Sequence, residues 1–125
     1  MEAYIVKNNK GKDDRNYHIV VIPTTNTARK KLNKIISEAN LYGFYKRARI
    51  SLSDILSLDE EDVYITTACI AGILRDIDGM NDIFLPLVKK FGNHVLLEVQ
   101  PHNHAEQIRI NRLALSLSKH YGLKI

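Results

Sequence analysis

The chain has 125 residues, with 18 lysines and arginines against 14 aspartates and glutamates, and a net charge of +4. This length suits one domain and excludes a second domain of ordinary size. Hydrophobic residues make up 45% and charged residues 26%, which excludes a disordered chain. No apolar run approaches the roughly 18 residues of a membrane helix, and no secretion-signal pattern is present. The composition predicts one soluble, cytoplasmic domain over residues 1–125 that has no membrane partner.

The first half of the chain predicts two strands, a long helix and a short helix. Residues 2–6 and 17–22 are β-prone, and the polar segment 7–16 between them predicts a hairpin or an excursion. An apolar stripe at helical spacing then follows Thr25, a predicted N-cap, and ends near Gly43. Ser51 or Ser53 is predicted to cap a short helix that extends through residue 58.

The second half predicts two further strands and two further helices. Strands are expected at residues 63–68 and 94–99. The helix between them, at residues 81–91, is expected to bend at Pro86. A long helix begins near residue 103, and Gly122 is placed to end it in a left-handed conformation.

Strands separated by helices predict an α/β fold with a mostly parallel sheet, either open or curled as part of a barrel. Four strands are too few for a closed eight-unit barrel. Residues 122–125 resemble a helix cap followed by the start of another strand. We therefore expect the chain to be a piece of a larger domain.

Candidate site residues follow the predicted strands, because parallel α/β folds bind ligands at the carboxyl ends of their strands. Cys69 follows one strand in TTACIAGILRD, and His102 follows another in LEVQPHNHAEQ. Thiol and imidazole groups at such positions indicate a metal site. Each also has a structural interpretation, since a lone cysteine is often a small buried side chain and His102 could belong to a turn or helix cap. No catalytic motif occurs, so no catalytic residue is assigned.

His18, Glu98 and the clusters of basic residues each have two interpretations. His18, inside an apolar strand, could be a core histidine or a ligand, and Glu98 could be buried or solvated. Basic residues concentrate at 29–34, where a solvated helix face is the simpler interpretation, and at 46–49, where they share the segment YGFYKRAR with aromatic residues. The second cluster gives the candidate nucleic-acid-binding residues, which are Tyr45, Lys46, Arg47 and Arg49.

Several segments, in a fixed order, resemble one known family. They are EAYIV, YHIVVI, YGFYKRARI, TTACIAGILRD and LEVQPHNHAEQIRIN. Together they resemble the polymerase-and-histidinol-phosphatase (PHP) domain of the bacterial replicative DNA polymerase, the DNA polymerase III alpha subunit. The resemblance covers essentially the whole chain. The ordered combination is more specific than any single segment.

This resemblance implies a distorted β/α barrel whose strand ends bind up to three metal ions, commonly zinc. Glu2, His18 and Cys69 match ligand positions of the family, and His102 matches the histidine that follows its Glu-Ile-Gln strand. Zinc at such a site supplies a hydroxide for phosphoester hydrolysis, as in 3′→5′ proofreading. The alternative is a platform with vestigial ligands that binds partner proteins.

The family's opening His-x-His strand and closing Asp-x-His strand are absent from this sequence. The expectation is therefore an incomplete PHP-type barrel from the alpha subunit of a replicase. The parent would be a DNA-directed DNA polymerase with Mg²⁺ in a separate domain, outside this chain. Its partners would be DNA and other replicase subunits, such as a proofreading exonuclease. The isolated 125-residue piece is expected to be inactive and to self-associate through open sheet edges.

Overall fold

The computed structural model describes residues 1–8 and 15–125. Most of the predicted loop over 7–16 lies outside them. Within the described residues, no helix has the length and apolar character needed to cross a bilayer. The strands are β1 (Glu2–Val6), β2 (Tyr17–Pro23), β3 (Phe44–Tyr45), β4 (Arg47–Ser51), β5 (Val63–Thr66) and β6 (Val95–Leu96). The helices are α1 (Asn26–Tyr42), α2 (Leu52–Leu56), α3 (Ile77–Gly79), α4 (Leu85–Phe91) and α5 (Ala105–Tyr121).

The strands form one mixed sheet in the order β3-β4-β1-β2-β5-β6, which does not close into a barrel within the described residues. β1 and β4 are parallel, as are β5 and β6. β2 is antiparallel to both its neighbours, and β3 is antiparallel to β4. The α/β class is confirmed, but the prediction of a mostly parallel sheet is wrong. The physical reason is that β1 pairs directly with β2, so the chain reverses without a crossover helix.

One face of the sheet packs against the helices and forms the core. Ile5, Ile19 and Ile65 point to this face and are fully buried, each stabilising the fold by about 2 kcal/mol relative to an exposed position. The helix residues in the same core are Ala28, Leu32, Ala39, Ile55, Ile83, Phe84, Leu87, Phe91, Ile110, Ala114 and Leu117. On the opposite face, side chains such as Val20 are only partly buried. We call this second surface the open face.

The helix starts follow the predicted capping residues. The Thr25 hydroxyl accepts the Ala28 N–H at 3.0 Å, and the Ser51 hydroxyl accepts the Asp54 N–H at 3.2 Å. Asp54 accepts the Ser51 N–H in return, which completes a capping box. At the other end of the chain, Gly122 takes the predicted left-handed conformation with φ of 68°. These local expectations are confirmed, although α2 ends at Leu56 rather than at residue 58.

The helix predicted at 81–91 begins earlier and is not uniform. α3 leads into a π-helical turn, Met80–Phe84, and then into α4. The Leu85 N–H reaches the Met80 carbonyl, five residues back, and Pro86 follows in the first turn of α4. Because proline has no N–H, it fits the position where the hydrogen-bond pattern changes.

The predicted strands differ from the observed ones most near the edges of the sheet. β5 ends at Thr66, and β6 has only two residues instead of 94–99. The β3–β4 hairpin was not predicted, because its sequence is short and basic. Residues 123–125 form no strand, although the Leu97 N–H donates to the Lys124 carbonyl at 2.8 Å.

Candidate functional site

The open face brings side chains from three strands into register. Tyr4 in β1 pairs with His18 in β2 and with Arg49 in β4, so the three residues share one face. The rings of Tyr4 and His18 stack with centroids 5.5 Å apart. Neighbouring residues at equivalent positions in antiparallel strands lie close enough for such contacts.

Glu2, His18 and Cys69 lie together around the His18 ring. The Nδ1 atom of His18 is 3.4 Å from the Cys69 sulfur, and its Nε2 atom is 3.9 Å from a Glu2 carboxylate oxygen. The His18 side chain is 20% exposed, whereas that of Glu2 is 77% exposed. We call Glu2, Tyr4, His18 and Cys69 the His18 cluster. The antiparallel pairing of β2 with β5 explains why the beginning of β2 meets the loop after β5.

A tight turn after β5 positions Cys69. The Gly72 N–H donates to the Cys69 carbonyl at 2.8 Å, and the His18 N–H donates to the Ala71 carbonyl at 2.9 Å. Ala68, before the cysteine, has a left-handed φ of 57°, a conformation that costs an alanine free energy. A Cβ atom on Gly72 would lie 2.1 Å from the Thr67 carbonyl oxygen. Only glycine fits there, so backbone sterics hold the turn against β2.

Glu98 supports the same turn from the β6 side. Its carboxylate accepts the Thr66 hydroxyl at 3.0 Å, and the Thr66 oxygen accepts the Ala68 N–H at 3.2 Å. The Glu98 N–H donates to the Thr67 hydroxyl at 3.0 Å. Glu98 is thus a partly buried, hydrogen-bonded carboxylate. This resolves the two interpretations that the sequence allowed.

The donors of the His18 cluster face two different sides of one imidazole. Cys69 lies at Nδ1 and Glu2 at Nε2, so a single ion cannot contact all three residues through the same nitrogen. In agreement, the described ranges 1–8 and 15–125 contain no group of three or more His, Cys, Asp or Glu side chains that could hold a metal ion. The arrangement offers at most two protein donors on each side of the ring.

His102 lies apart from this cluster. It is exposed in the loop before α5, and its ring stacks with that of His104 at 6.2 Å between centroids. His104 is the N-cap of α5 and accepts the Gln107 N–H. Among the described residues, no contact joins His102 to Glu2, His18 or Cys69.

The four candidate nucleic-acid-binding residues divide into exposed and buried ones. Lys46 and Arg47 are exposed on the β3–β4 hairpin, and Tyr45 is partly buried. Arg49 is only 3% exposed, and its Nε donates to the Gly43 carbonyl at 3.0 Å. Arg49 therefore ties α1 to β4, and its side chain does not reach an external partner in this conformation.

A carboxylate outside the predicted set organises the region beside the hairpin. Asp76 accepts the Tyr17 hydroxyl at 2.7 Å and an Arg15 N–H at 3.0 Å. Burial alone would raise the pKa of Asp76, but hydrogen bonds from the Gly79 N–H, Tyr17 and Arg15 outweigh it and lower that pKa. Burial and the bond to Asp76 raise the pKa of Tyr17 to about 12. The Asp76 hydrogen bond and charge also raise the pKa of Arg15.

Sequence reasoning missed several residues of this region, namely Tyr4, Arg15, Thr66, Arg75 and Asp76. Arg15 and Asp76 are 61 positions apart in sequence. No local spacing could have joined them. The one available signal was the position of Arg75 and Asp76 within the segment that follows β5.

Comparison with known proteins finds relatives that share one name. The chain matches "DNA polymerase III subunit alpha" of Borreliella burgdorferi at 33% identity over 138 aligned residues. The chain is similar to DNA polymerase III alpha subunits. Proteins of the same name from Aquifex aeolicus and Thermus aquaticus are 30% and 27% identical to it. No family model matches the chain.

The similarity to the alpha subunits covers nearly the whole chain but little of each relative. It spans 100%, 90% and 98% of this chain for the three relatives in that order. The corresponding shares of the relatives are 12%, 10% and 11%. The resemblance to the alpha subunit is therefore confirmed at the level of the protein name. Its PHP domain remains a prediction.

Proposed function

We propose that this chain forms part of the PHP domain of a DNA polymerase III alpha subunit and acts in DNA replication. The observation that carries the proposal is the similarity to three alpha subunits over 90–100% of the chain. The parent polypeptide would then be a DNA-directed DNA polymerase. Its Mg²⁺ ions would act in a domain outside this chain, its substrates would be DNA and deoxynucleotides, and its location would be the cytoplasm.

Within that domain, the His18 cluster contributes ligands to a metal site. Zinc–sulfur and zinc–nitrogen bonds of about 2.3 and 2.0 Å imply a separation of about 3.5 Å between two tetrahedral donors. The 3.4 Å between the His18 nitrogen and the Cys69 sulfur fits this separation. Imidazole and thiolate together suit zinc. Because Glu2 lies at the other ring nitrogen, further donors to this ion must come from outside the His18 cluster, and His102 is left out because its described contacts lie elsewhere.

A bound zinc ion would lower the pKa of a water ligand and so supply a hydroxide for phosphoester hydrolysis. The residues of this chain position the metal ligands. Tyr4 stacks on the His18 ring, and the turn at Gly72 fixes Cys69 beside it. Two donors on each side of one imidazole cannot hold a metal cluster alone, so the isolated chain is expected to have little hydrolytic activity.

A second function is favoured by one observation. The described residues include no group of three metal-binding side chains. A domain with incomplete ligands would serve as a platform for other replicase subunits, such as a proofreading exonuclease. The two functions differ in metal content, which can be measured directly.

The experiment uses the full-length polypeptide that carries this chain, purified without added metal. Elemental mass spectrometry should detect zinc in the wild type and less zinc in Cys69→Ser. Ser53→Ala, an exposed serine outside the cluster, is the matched control. Equal zinc in all three proteins would remove Cys69 from the site, and no zinc in any of them would favour the platform. Template-directed incorporation of deoxynucleotides tests the polymerase assignment separately.

A further inference from the structure

A cavity beside the β3–β4 hairpin is lined almost entirely by cationic and polar side chains. Its volume is about 360 Å³. One wall comes from the hairpin, and the other comes from the two residues before β2 and from the loop before α3. We call it the cationic cavity, and its lining residues are Arg15, Asn16, Tyr45, Lys46, Arg47 and Arg75.

The charge of the cavity is strongly positive. Four of its six lining residues are lysine or arginine, and none of those described is acidic. The carboxylate of Asp76, beside the cavity, is shared among Arg15, Arg75 and the Tyr17 hydroxyl. One carboxylate cannot neutralise four cations. The unbalanced charge attracts an anion, and the exposed fractions of Arg15 (63%) and Arg75 (37%) leave both guanidinium groups within reach of solvent.

The cations are held in place by aromatic rings. Arg47 lies over the Tyr4 ring at 4.2 Å, and Arg75 lies over the Tyr17 ring at 4.7 Å. Arg75 also donates to the Asn16 carbonyl at 3.3 Å. Side chains that are already ordered lose less conformational entropy when a ligand binds. The cavity is therefore partly organised for binding.

Lys46 occupies the one residue between β3 and β4 and has a left-handed φ of 64°. Asparagine or glycine would adopt this conformation at lower cost than lysine. A lysine at this position contributes charge at the expense of backbone strain, which is a feature of binding sites.

The cavity adjoins the His18 cluster through one shared ring. Tyr4 contacts Arg47 on the cavity side and His18 on the cluster side. A chain that carried several phosphates could therefore run from the cavity to the cluster. Tyr45 lines the cavity and is partly exposed, with Lys46 and Arg49 each 5.5 Å from its ring centroid, and the exposed part of the ring offers a surface on which a base can stack.

We propose that the cationic cavity binds backbone phosphates of single-stranded DNA, with Arg15, Lys46, Arg47 and Arg75 as the contacting cations. Guanidinium groups match the geometry of phosphate oxygens, and an aromatic ring beside them favours a nucleic acid over an acidic peptide. The choice of DNA as the ligand rests on the proposed function in replication. The binding of a phosphate-bearing anion is argued from the cationic geometry and does not depend on that function. Arg49 is excluded from the interface because it is buried.

The test measures the fluorescence anisotropy of a labelled oligodeoxythymidine of about 12 nucleotides, titrated with the 125-residue chain at several salt concentrations. The variant Arg15→Gln/Arg47→Gln removes one cation from each wall. We expect affinity to fall about tenfold, and the slope of log affinity against log salt to decrease in magnitude by about 1.4, since single strands contribute about 0.7 per phosphate contact. Lys30→Gln/Lys34→Gln removes the same charge from exposed positions of α1 and should change affinity less than twofold.

A third variant shows whether weaker DNA binding results from the lost charge or from loss of the fold. Lys46→Asn removes a cavity charge and relieves the left-handed strain, so it should raise the melting temperature while it weakens DNA binding. Equal losses in the cavity and α1 variants, or unchanged binding in the cavity variants, would overturn the proposal. Equal affinity for an oligoglutamate of the same charge would overturn it in favour of an acidic protein partner. Zinc content of the full-length polypeptide should be unchanged in all these variants, which separates this proposal from the metal site.

Discussion

Asp76 is the residue on which the region beside the cavity depends most. It caps α3 by accepting the Gly79 N–H at 2.9 Å, and it also binds Tyr17 and Arg15. Its pKa is lowered in the folded protein from an ordinary value of 3.8. A carboxylate with a lowered pKa stabilises the fold above its ordinary pKa. That stabilisation is lost as pH falls through the pKa of the folded state.

Asp76→Asn should therefore destabilise the protein in a pH-dependent way. At pH 7 we expect the free energy of unfolding to fall by about 1.5 kcal/mol, because charge-assisted hydrogen bonds are replaced by neutral ones. The difference from wild type should shrink as pH falls below 3.8 and through the lowered pKa of the folded state, because the wild-type carboxylate then becomes neutral as well. Urea denaturation at pH 7 and at an acidic pH below this transition measures it.

The control for this prediction is Asp78→Asn, an exposed aspartate two positions away. It should change the free energy of unfolding by less than about 0.5 kcal/mol at either pH. If Asp76→Asn lowered the free energy of unfolding equally at both pH values, the shape of the Asp76 side chain, and not its charge, would explain its role.

The turn between β5 and α3 positions Cys69 against His18. Gly72 packs its backbone between the Thr67 and Cys69 carbonyl groups, with no space for a Cβ atom. Gly72→Ala should cost about 3 kcal/mol or more, since the backbone must move. Gly122→Ala is the contrasting variant, because open space surrounds that position and only its left-handed φ opposes alanine.

Chemical denaturation of the two glycine variants separates steric from conformational costs. Gly122→Ala should cost about 1 kcal/mol, and it should leave the environment of the Cys69 thiol unchanged. Gly72→Ala should also change the rate at which a thiol reagent modifies Cys69. Similar stability and similar thiol reactivity in both variants would contradict the structural role of this turn.

The elements that could be predicted are those whose signals are local. Thr25, Ser51 and Gly122 act within a few residues of their own positions, so their roles follow from the sequence. The antiparallel direction of β2 and the β3–β4 hairpin depend on contacts between distant segments. His18 and Cys69 are 51 positions apart, and only the family resemblance joined them before the structure did. The sequence predicted only the hairpin side of the cationic cavity, because Arg15 and Arg75 join it through tertiary packing.

The open face of the sheet is only partly covered within the described residues. Ile22 on this face is 45% exposed, and the edge strands β3 and β6 each have a single paired neighbour. Open edges and apolar surface favour association between copies. We expect the 125-residue chain to self-associate as its concentration rises.

Sedimentation equilibrium of the wild type and two variants tests this prediction. Ile22→Lys places a charge on the open face and should shift the chain toward monomer. Leu41→Lys changes a residue of α1 that is 71% exposed and should not alter association. A wild-type chain that stays monomeric at millimolar concentration, or an equal effect of both variants, would contradict the expectation.

Binding of one metal ion by His18 and Cys69 together is tested most directly by cobalt(II) titration of the full-length polypeptide that carries this chain, purified free of metal. Cobalt replaces zinc at thiolate sites and produces a thiolate-to-cobalt charge-transfer absorption. We predict this absorption in the wild type, its loss in Cys69→Ser and a marked weakening in His18→Gln. An absorption that is absent from the wild type, or unaffected by both substitutions, would contradict the claim.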